Sequence, residues 1–130
     1  KLEISYHYGL EYFDKFGLCM ITFYNKIYFK KVLFLFPKQS HPTQFHKIKK
    51  ETFFVLYGKI QIIVNNKRKI LNKGDLFTIQ RGQKHFFKDI SKTGSVSEEL
   101  STESKKNDSF YVDKTINKLK KRKSFITLLN

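Results

Sequence analysis

The sequence has no tryptophan and no alanine, two prolines, one methionine and a single cysteine. The lone Cys19 cannot form an internal disulfide, and no basic segment followed by an apolar run marks a secretory signal. No stretch reaches the roughly 18 consecutive apolar residues of a membrane-spanning helix, because lysines interrupt even the most apolar segment, 29–36. We therefore expect a cytoplasmic protein without a membrane partner, in which Cys19 is a small buried hydrophobic residue.

The length limits the domain organisation. A chain of 130 residues with 40% hydrophobic content can bury one compact core but not two. Only Pro37 and Pro42 are prolines, and neither a repeat nor a low-complexity linker divides the chain. We predict a single domain over residues 1–130. Since the first residue is Lys1 and not methionine, we also expect a piece of a longer protein.

The charge is strongly positive, at +15, which raises nucleic-acid binding as a function. However, only three of the 26 basic residues are arginine, whose planar fork suits base and phosphate recognition, and the lysines are dispersed. This composition is typical of an AT-rich genome. Nucleic-acid binding is thus the weakest alternative, and the densest basic run, 118–123, is predicted as a solvated loop before a last strand.

Short β-type runs broken by turn residues dominate the middle of the sequence and predict an antiparallel sandwich or barrel. A short amphipathic helix is predicted early, where Leu10, Phe13 and Phe16 recur at three-residue spacing. A loop or mobile flap is predicted over 91–108, which is rich in Ser, Thr, Glu and Lys. The predicted strands are 28–36, 51–57, 59–64, 68–71 and 76–80, followed by the closing strands 109–112 and 124–129. The strands 59–64 and 68–71 are predicted to form a hairpin.

Three side chains with metal-binding chemistry are predicted to converge. Alternation along a strand places Gln44 and His46 on one face, and the next strand begins with Glu51. Neighbouring strands would direct His46, Glu51 and His85 into one cavity. Two imidazoles and a carboxylate suit Mn, Fe, Co, Ni or Zn with open coordination positions. The alternative is a degenerate site in which these histidines form hydrogen bonds within a polar cavity.

Two motifs in this region resemble the paired motifs of the cupin superfamily, HxH(x)3–4E(x)6G and G(x)5PxG(x)2H(x)3N. They span residues 44–58 and 74–89 and depart from the pattern at Gln44, Gln80 and Asp89, which replace His, Pro and Asn. The resemblance implies an all-β cupin fold, a double-stranded β-helix or jelly-roll-like antiparallel barrel, here with a short N-terminal helix and core motifs within 41–89. It also implies a metal held by His46, Glu51, His85 and Gln44, whose amide oxygen is a poorer ligand than imidazole for a late transition metal.

Over about residues 3–128 the chain further resembles the C-terminal cupin module of N-acetylneuraminate (sialic acid) synthase-like proteins. The matching segments are 5–13, 41–42, 47–53, 55–58 and 107–111. D-lyxose-type sugar isomerases are similar in the same motifs. The resemblance implies a carbohydrate ligand and a covalently linked synthase domain, and the basic surface would attract a carboxylated or phosphorylated sugar.

We therefore predict a metal-binding cupin module that recognises a sugar or an acidic sugar. The alternative is a metal-dependent sugar isomerase or epimerase, against which we find no second carboxylate facing inward on the motif strands. Aromatic rings stack on sugars, and Phe53, Tyr57 and Phe87 are predicted at the barrel mouth. Tyr111 and Asp108 are predicted to close over the ligand.

Two further expectations concern the remaining histidines and the oligomeric state. His7 and His41 lie outside the ligand spacing and are predicted to be surface or hydrogen-bonding residues. The apolar run 28–36 is predicted to be an outer strand with an exposed edge, and covering that edge would produce a homodimer.

Overall fold

The computed structural model describes the backbone of residues 2–129 and the side chains of residues 2–126. Strands dominate it. They are β1 Leu2–His7, β2 Cys19–Asn25, β3 Tyr28–Leu35, β4 Ser40–Phe45, β5 Glu51–Tyr57, β6 Lys59–Val64, β7 Lys67–Asn72, β8 Leu76–Ile79, β9 His85–Asp89, β10 Ser95–Thr102, β11 Phe110–Tyr111 and β12 Lys123–Leu129. A 3₁₀ turn over Leu10–Tyr12 leads into the short helix α1, Phe13–Phe16, and α2 spans Lys114–Asn117.

The strands form two antiparallel sheets. One has seven strands in the order β12-β1-β2-β3-β10-β5-β8, and the other has five in the order β11-β4-β9-β6-β7. The predicted all-β antiparallel architecture, its hairpin β6–β7 and the early helix are therefore confirmed. The sequence did not predict α2, a single turn capped by the Asp113 side chain. No helix within the described residues is long and apolar enough to cross a membrane.

The hydrophobic core lies between the two sheets, because alternate side chains of each strand face inward. On β5, Phe53 and Val55 are buried while their neighbours are only half-buried. The inward row changes character toward the beginning of β5, where Glu51 is 2% exposed and lies opposite Ser101 of β10. The barrel interior therefore has an apolar region and a charged one.

The prediction of a loop over 91–108 is wrong for its central part. Residues 95–102 form β10, which pairs with β3 on one side and β5 on the other. The side chains of Ser95, Ser97, Glu99 and Ser101 are buried, so the strand does alternate, but its inward face is polar. A period of two in small polar residues carries no hydrophobic signal, which explains the error.

The expectation of an exposed edge at 28–36 is also wrong. β3 lies between β2 and β10, and the edges of the large sheet are β12 and β8. The polar strand β10 covers the side of β3 that the sequence left without a neighbour. The premise from which the homodimer was predicted is therefore removed.

Candidate metal centre and ligand cavity

The two sheets bring His46, Glu51 and His85 together, as the sequence predicted. His46 follows the end of β4, Glu51 begins β5, and His85 begins β9. Glu51 Oε1 lies 3.2 Å from His46 Nε2 and 3.0 Å from His85 Nε2. All three residues are buried, and their potential ligand atoms lie within 4.8 Å of one another.

Backbone carbonyls fix the tautomers of both histidines. His46 Nδ1 donates to the Asp108 carbonyl at 2.7 Å, and His85 Nδ1 donates to the Gln83 carbonyl at 3.0 Å. Because a carbonyl only accepts, each ring carries a proton on Nδ1 and turns its Nε2 atom toward Glu51. Both Nε2 atoms and Glu51 Oε1 are buried without a hydrogen-bond partner. This is the arrangement in which histidine ligands meet a metal ion.

Glu51 is held in its ionised form. Burial disfavours the charged carboxylate, but the Lys49 ammonium and the two imidazoles outweigh burial and hold the pKa of Glu51 well below its usual range. The cluster thus combines one carboxylate with the Nε2 atoms of two imidazoles. That donor set fits a divalent first-row metal.

Gln44 lies directly opposite His85 in the β4–β9 pair. His41 Nδ1 donates to the Pro42 carbonyl at 2.9 Å. The Gln44 amide Nε2 makes a long contact of 3.3 Å with His41 Nε2, whose single lone pair also accepts from Tyr8 Oη at 2.8 Å. This contact orients the amide so that Gln44 Oε1, the atom with ligand character, is buried and has no hydrogen-bond partner. The predicted fourth ligand therefore offers an unused oxygen beside His85.

Asp108 supports the cluster and does not face a ligand. Its carboxylate accepts hydrogen bonds from the backbone N–H groups of Lys47, Ile48 and Lys49 at 2.9 to 3.2 Å. Its carbonyl orients His46. One residue thus fixes the turn between β4 and β5 and the imidazole next to it, instead of closing over the cavity as predicted.

A buried network of charges adjoins the cluster. Lys49 Nζ lies 3.3 Å from Glu51 Oε2 and 3.3 Å from Glu99 Oε2, and Lys31 Nζ lies 3.6 Å from Glu99 Oε1. Burial disfavours the ammonium of Lys49, but Glu99 and Glu51 outweigh burial and raise the pKa of Lys49. Glu99 is the second inward carboxylate that the sequence analysis did not find, because it belongs to the segment predicted as a loop.

A cavity of about 820 Å³ opens over these residues, a size typical of small-molecule sites. Its lining includes His46, Gln44, Lys49 and residues of the segment 104–125, whereas Glu51 and His85 lie behind it and do not line it. Glu99 is its single acidic lining residue among those described. The basic ones number eight: Lys31, Lys49, Lys105, Lys106, Lys120, Lys121, Arg122 and Lys123.

Two tyrosines and His41 form a buried hydrogen-bonded chain at the cavity wall. Tyr8 Oη lies 2.8 Å from His41 Nε2 and 2.9 Å from Tyr111 Oη. Since the Nδ1 proton of His41 goes to Pro42, Tyr8 donates to His41 and accepts from Tyr111. His41 is therefore a hydrogen-bonding histidine, as predicted. His7 is not, because neither of its ring nitrogens has a partner.

The predicted aromatic residues are divided between cavity, core and surface. Phe87 and Tyr111 line the cavity, whereas Phe53 is a core residue that packs against Phe87 with ring centroids 5.3 Å apart and does not line it. Tyr57 is 51% exposed. A register shift makes Tyr57 the partner of the outward-facing Val96, so a β-bulge turns its ring away from the barrel.

Three other positions differ from expectation or from the motif. Cys19 is only partly buried. Gln80 donates its backbone N–H to Gln83 Oε1 at 2.8 Å, which the proline of the motif cannot do. Asp89 is 2% exposed and accepts hydrogen bonds from Ser91 and from the Lys38 N–H, so it stabilises loops.

Known proteins share this fold. The chain is similar to an L-ribose isomerase from Cellulomonas parahominis solved with L-ribose, at 14% identity and TM-score 0.80, over 88% of this chain and 81% of that one. It is also similar to the Cnp3 cupin domain of Schizosaccharomyces pombe, at 20% identity and TM-score 0.64, over 67% of this chain and 65% of that one. KdgF from Halomonas sp. is similar at 12% identity and TM-score 0.63, over 69% of this chain and 82% of that one.

At these identities the structural likeness shows the fold alone. The comparison with curated protein sequences gave no match. The cupin domain family, by contrast, matches residues 32–97, which is half of the chain and contains Gln44, His46, Glu51 and His85. The chain belongs to the cupin domain family.

Proposed function

We propose that this protein is a metal-binding cupin module that binds a sugar or an acidic sugar. The observation that carries the proposal is the convergence of two imidazole lone pairs and one carboxylate oxygen, all buried and none hydrogen-bonded. Buried polar atoms without partners cost about 1 to 3 kcal/mol each, so a cluster of three implies a missing partner. A divalent cation satisfies all three at once.

His46, Glu51 and His85 would hold the metal, with Gln44 Oε1 as a further ligand. Mn, Fe, Co, Ni and Zn are the candidates, because two imidazoles favour transition metals over Mg or Ca. When bound, the ion would act as a Lewis acid toward a hydroxyl, carbonyl or carboxylate oxygen of the ligand. The neutral Gln44 amide in place of an imidazole would reduce the affinity for the later metals.

A sugar is the ligand class that the cavity supports best. The volume fits a molecule of that size, and aromatic rings, hydroxyls and charged groups line it. The L-ribose isomerase with a similar fold binds L-ribose. From the resemblance of the sequence, we further propose that residues 1–130 are one cupin domain linked to a sialic acid synthase-like domain.

The first test is elemental analysis of protein purified without a nickel column or chelator. We expect close to one equivalent of a transition metal, or uptake of Mn, Fe or Zn after purification. The double variant His46→Ala/His85→Ala removes two donors and should bind no metal, whereas Gln44→His should bind Zn more tightly. Sugar binding retained by the double variant would contradict a metal-centred site, and metal-free wild-type protein that refuses added ions would contradict the metal itself.

A metal-dependent sugar isomerase is the second candidate, and Glu99 favours it. A buried carboxylate 3.3 Å from the Lys49 ammonium supplies an acid–base group in the cavity wall, which the sequence alone lacked. Isomerisation moves a proton between neighbouring carbons, so a carboxylate near the ligand is required. Turnover of aldoses and ketoses with added Mn, Co or Ni tests this, and loss of turnover in Glu99→Gln with metal still bound would support it.

We also propose a homodimer. Because the strand at 28–36 is an interior strand, the interface would be the outer face of the large sheet and not an edge formed by that strand. Val32, Phe34 and Phe54 lie on that face and are only half-buried, and Leu100 is 45% exposed. Light scattering should give twice the monomer mass. The variant Phe34→Glu should give the monomer mass if this face is the interface.

A further inference from the structure

His7 is a buried imidazole whose ring packs edge to face against Tyr8, while both of its ring nitrogens are without a partner. It ends β1, lines the cavity, and has neither a hydrogen-bond partner nor solvent access at its two ring nitrogens. Burial, reinforced by the Lys31 ammonium, holds the pKa of His7 well below its ordinary value, so the ring is neutral at pH 7. A neutral imidazole offers one donor and one acceptor, and a buried one without partners lacks a ligand.

Lys31 faces the same cavity from β3. Its side chain is 11% exposed, and its only ion pair among the described residues is with Glu99, a carboxylate that Lys49 shares. Two ammonium groups and the two carboxylates Glu51 and Glu99 balance in charge. The Arg122 guanidinium, which lines the same cavity, donates to the Ser109 carbonyl and forms no ion pair among the described residues, so an anionic ligand would balance its charge with or without a metal.

Arg122 adds a guanidinium to the lining of the cavity. Its carbonyl accepts a hydrogen bond from the Tyr8 N–H at 2.7 Å, which places it next to the end of β1. The guanidinium lies over the Tyr111 ring, 5.0 Å from the centroid, and lines the cavity. The planar fork of arginine matches a carboxylate or a phosphate. The neighbouring Lys123 is different, because it pairs with Glu3 at 2.8 Å.

We propose that His7, Lys31 and Arg122 form an anion subsite of the cavity, separate from His46, Glu51 and His85, which binds the carboxylate or phosphate group of a sugar. The inference deepens the proposed function and rests on it for the class of ligand. His7 donates a hydrogen bond, and the two cations supply the charge. All three residues lie outside 32–97, the part of the chain that the family matches.

The test compares pairs of ligands that differ in charge. Metal-free protein, prepared with a chelator, is titrated with D-ribose 5-phosphate and with D-ribose, and then with D-glucuronate and D-glucose, while NMR follows the histidine ring signals. We expect each anion to bind about tenfold or more tightly than its neutral partner, since hydrogen bonds to charged groups are strong. The His7 signal should shift the most. The phosphate and carboxylate arms identify which anion the subsite prefers.

The variant Lys31→Met should weaken anion binding about tenfold. Lys30→Met is the matched control, because it removes the same charge one residue earlier, where the side chain reaches the Phe23 ring on the outer side of the sheet. It should change the affinity less than about twofold. If Lys31→Met does not fold, as thermal unfolding would report, His7→Gln provides the same comparison without removing a charge.

Equal binding of charged and neutral sugars, or equal losses in Lys31→Met and Lys30→Met, would overturn the subsite. The metal is measured separately by elemental analysis, so the two proposals can fail independently. Anion discrimination without metal uptake would contradict the metal centre and leave the subsite. Metal uptake without anion discrimination would contradict the subsite and leave the metal centre.

Discussion

The most informative single change is Glu99→Gln, because Glu99 is the shared partner of two buried lysines. It is 2% exposed and lies 3.3 Å from Lys49 Nζ and 3.6 Å from Lys31 Nζ. The substitution keeps the size of the side chain and removes only its charge. Lys49 then keeps Glu51, whereas Lys31 keeps no carboxylate within ion-pair distance among the described residues.

The expected loss is about 3 kcal/mol in the free energy of unfolding. At an effective dielectric constant of about 20, each contact is worth about 5 kcal/mol in Coulomb energy before the cost of desolvation. Removing one partner of a buried pair costs about 3 to 5 kcal/mol. The amide oxygen of glutamine still accepts one hydrogen bond, which places the value at the lower end. A domain of this size has a total stability of about 5 to 15 kcal/mol.

The assay is urea unfolding in the presence of a chelator, so that metal binding does not contribute. The matched control is Glu103→Gln, which removes the carboxylate of a surface pair with Lys105 at 3.5 Å whose side chains are 51% and 54% exposed. It should cost less than about 0.5 kcal/mol. If Glu99→Gln costs no more than this control, the buried network contributes nothing and the electrostatic reasoning about the cavity is wrong.

Three other predictions concern groups that support the cavity. Asp108→Asn should reduce metal affinity about tenfold, because its carboxylate holds the backbone of the turn that joins His46 to Glu51, and competition with a chromogenic chelator measures this. Tyr8→Phe should destabilise the protein by about 1 to 2 kcal/mol, measured by urea unfolding, since it breaks the chain from Tyr111 to His41. Stability should fall below about pH 6.5, because the unfolded chain protonates while buried His7, whose folded pKa is depressed, does not. Urea unfolding from pH 7.5 to 5 should give a shallower dependence for His7→Gln.

Where the strands have a hydrophobic period of two, the sequence predicted them closely. The strands β5 and β6 were found because residues such as Phe53, Val55 and Ile62 alternate with more exposed neighbours and turn residues separate the runs. The strand β10 has the same period, but its inward positions are Ser95, Ser97, Glu99 and Ser101. Its inward polarity depends on the cavity, which is a property of the assembled barrel and not of the segment.

The candidate site also has parts that local sequence properties predict and parts that depend on the assembled barrel. His46, Glu51 and His85 were predicted to meet, because residue spacing and strand parity are local properties. The burial of Lys49 was not predictable, since the basic turn 47–50 is typical of a solvated surface. Its burial depends on Glu99, fifty positions along the chain, and on Asp108, which binds the backbone of the turn.

The cavity combines two parts of different origin, and this determines where its specificity lies. Gln44, His46, Glu51 and His85 belong to the segment that the family matches, whereas His7 of β1, Lys31 of β3 and Arg122, which directly precedes β12, lie on either side of it. A metal centre of this kind can bind any ligand with two suitable oxygens, so it distinguishes poorly between sugars. The flanking strands supply the fixed positive charge and the unpartnered imidazole. If the proposed function holds, specificity for an anionic sugar would depend on these flanks, and it could change without any change in the metal ligands.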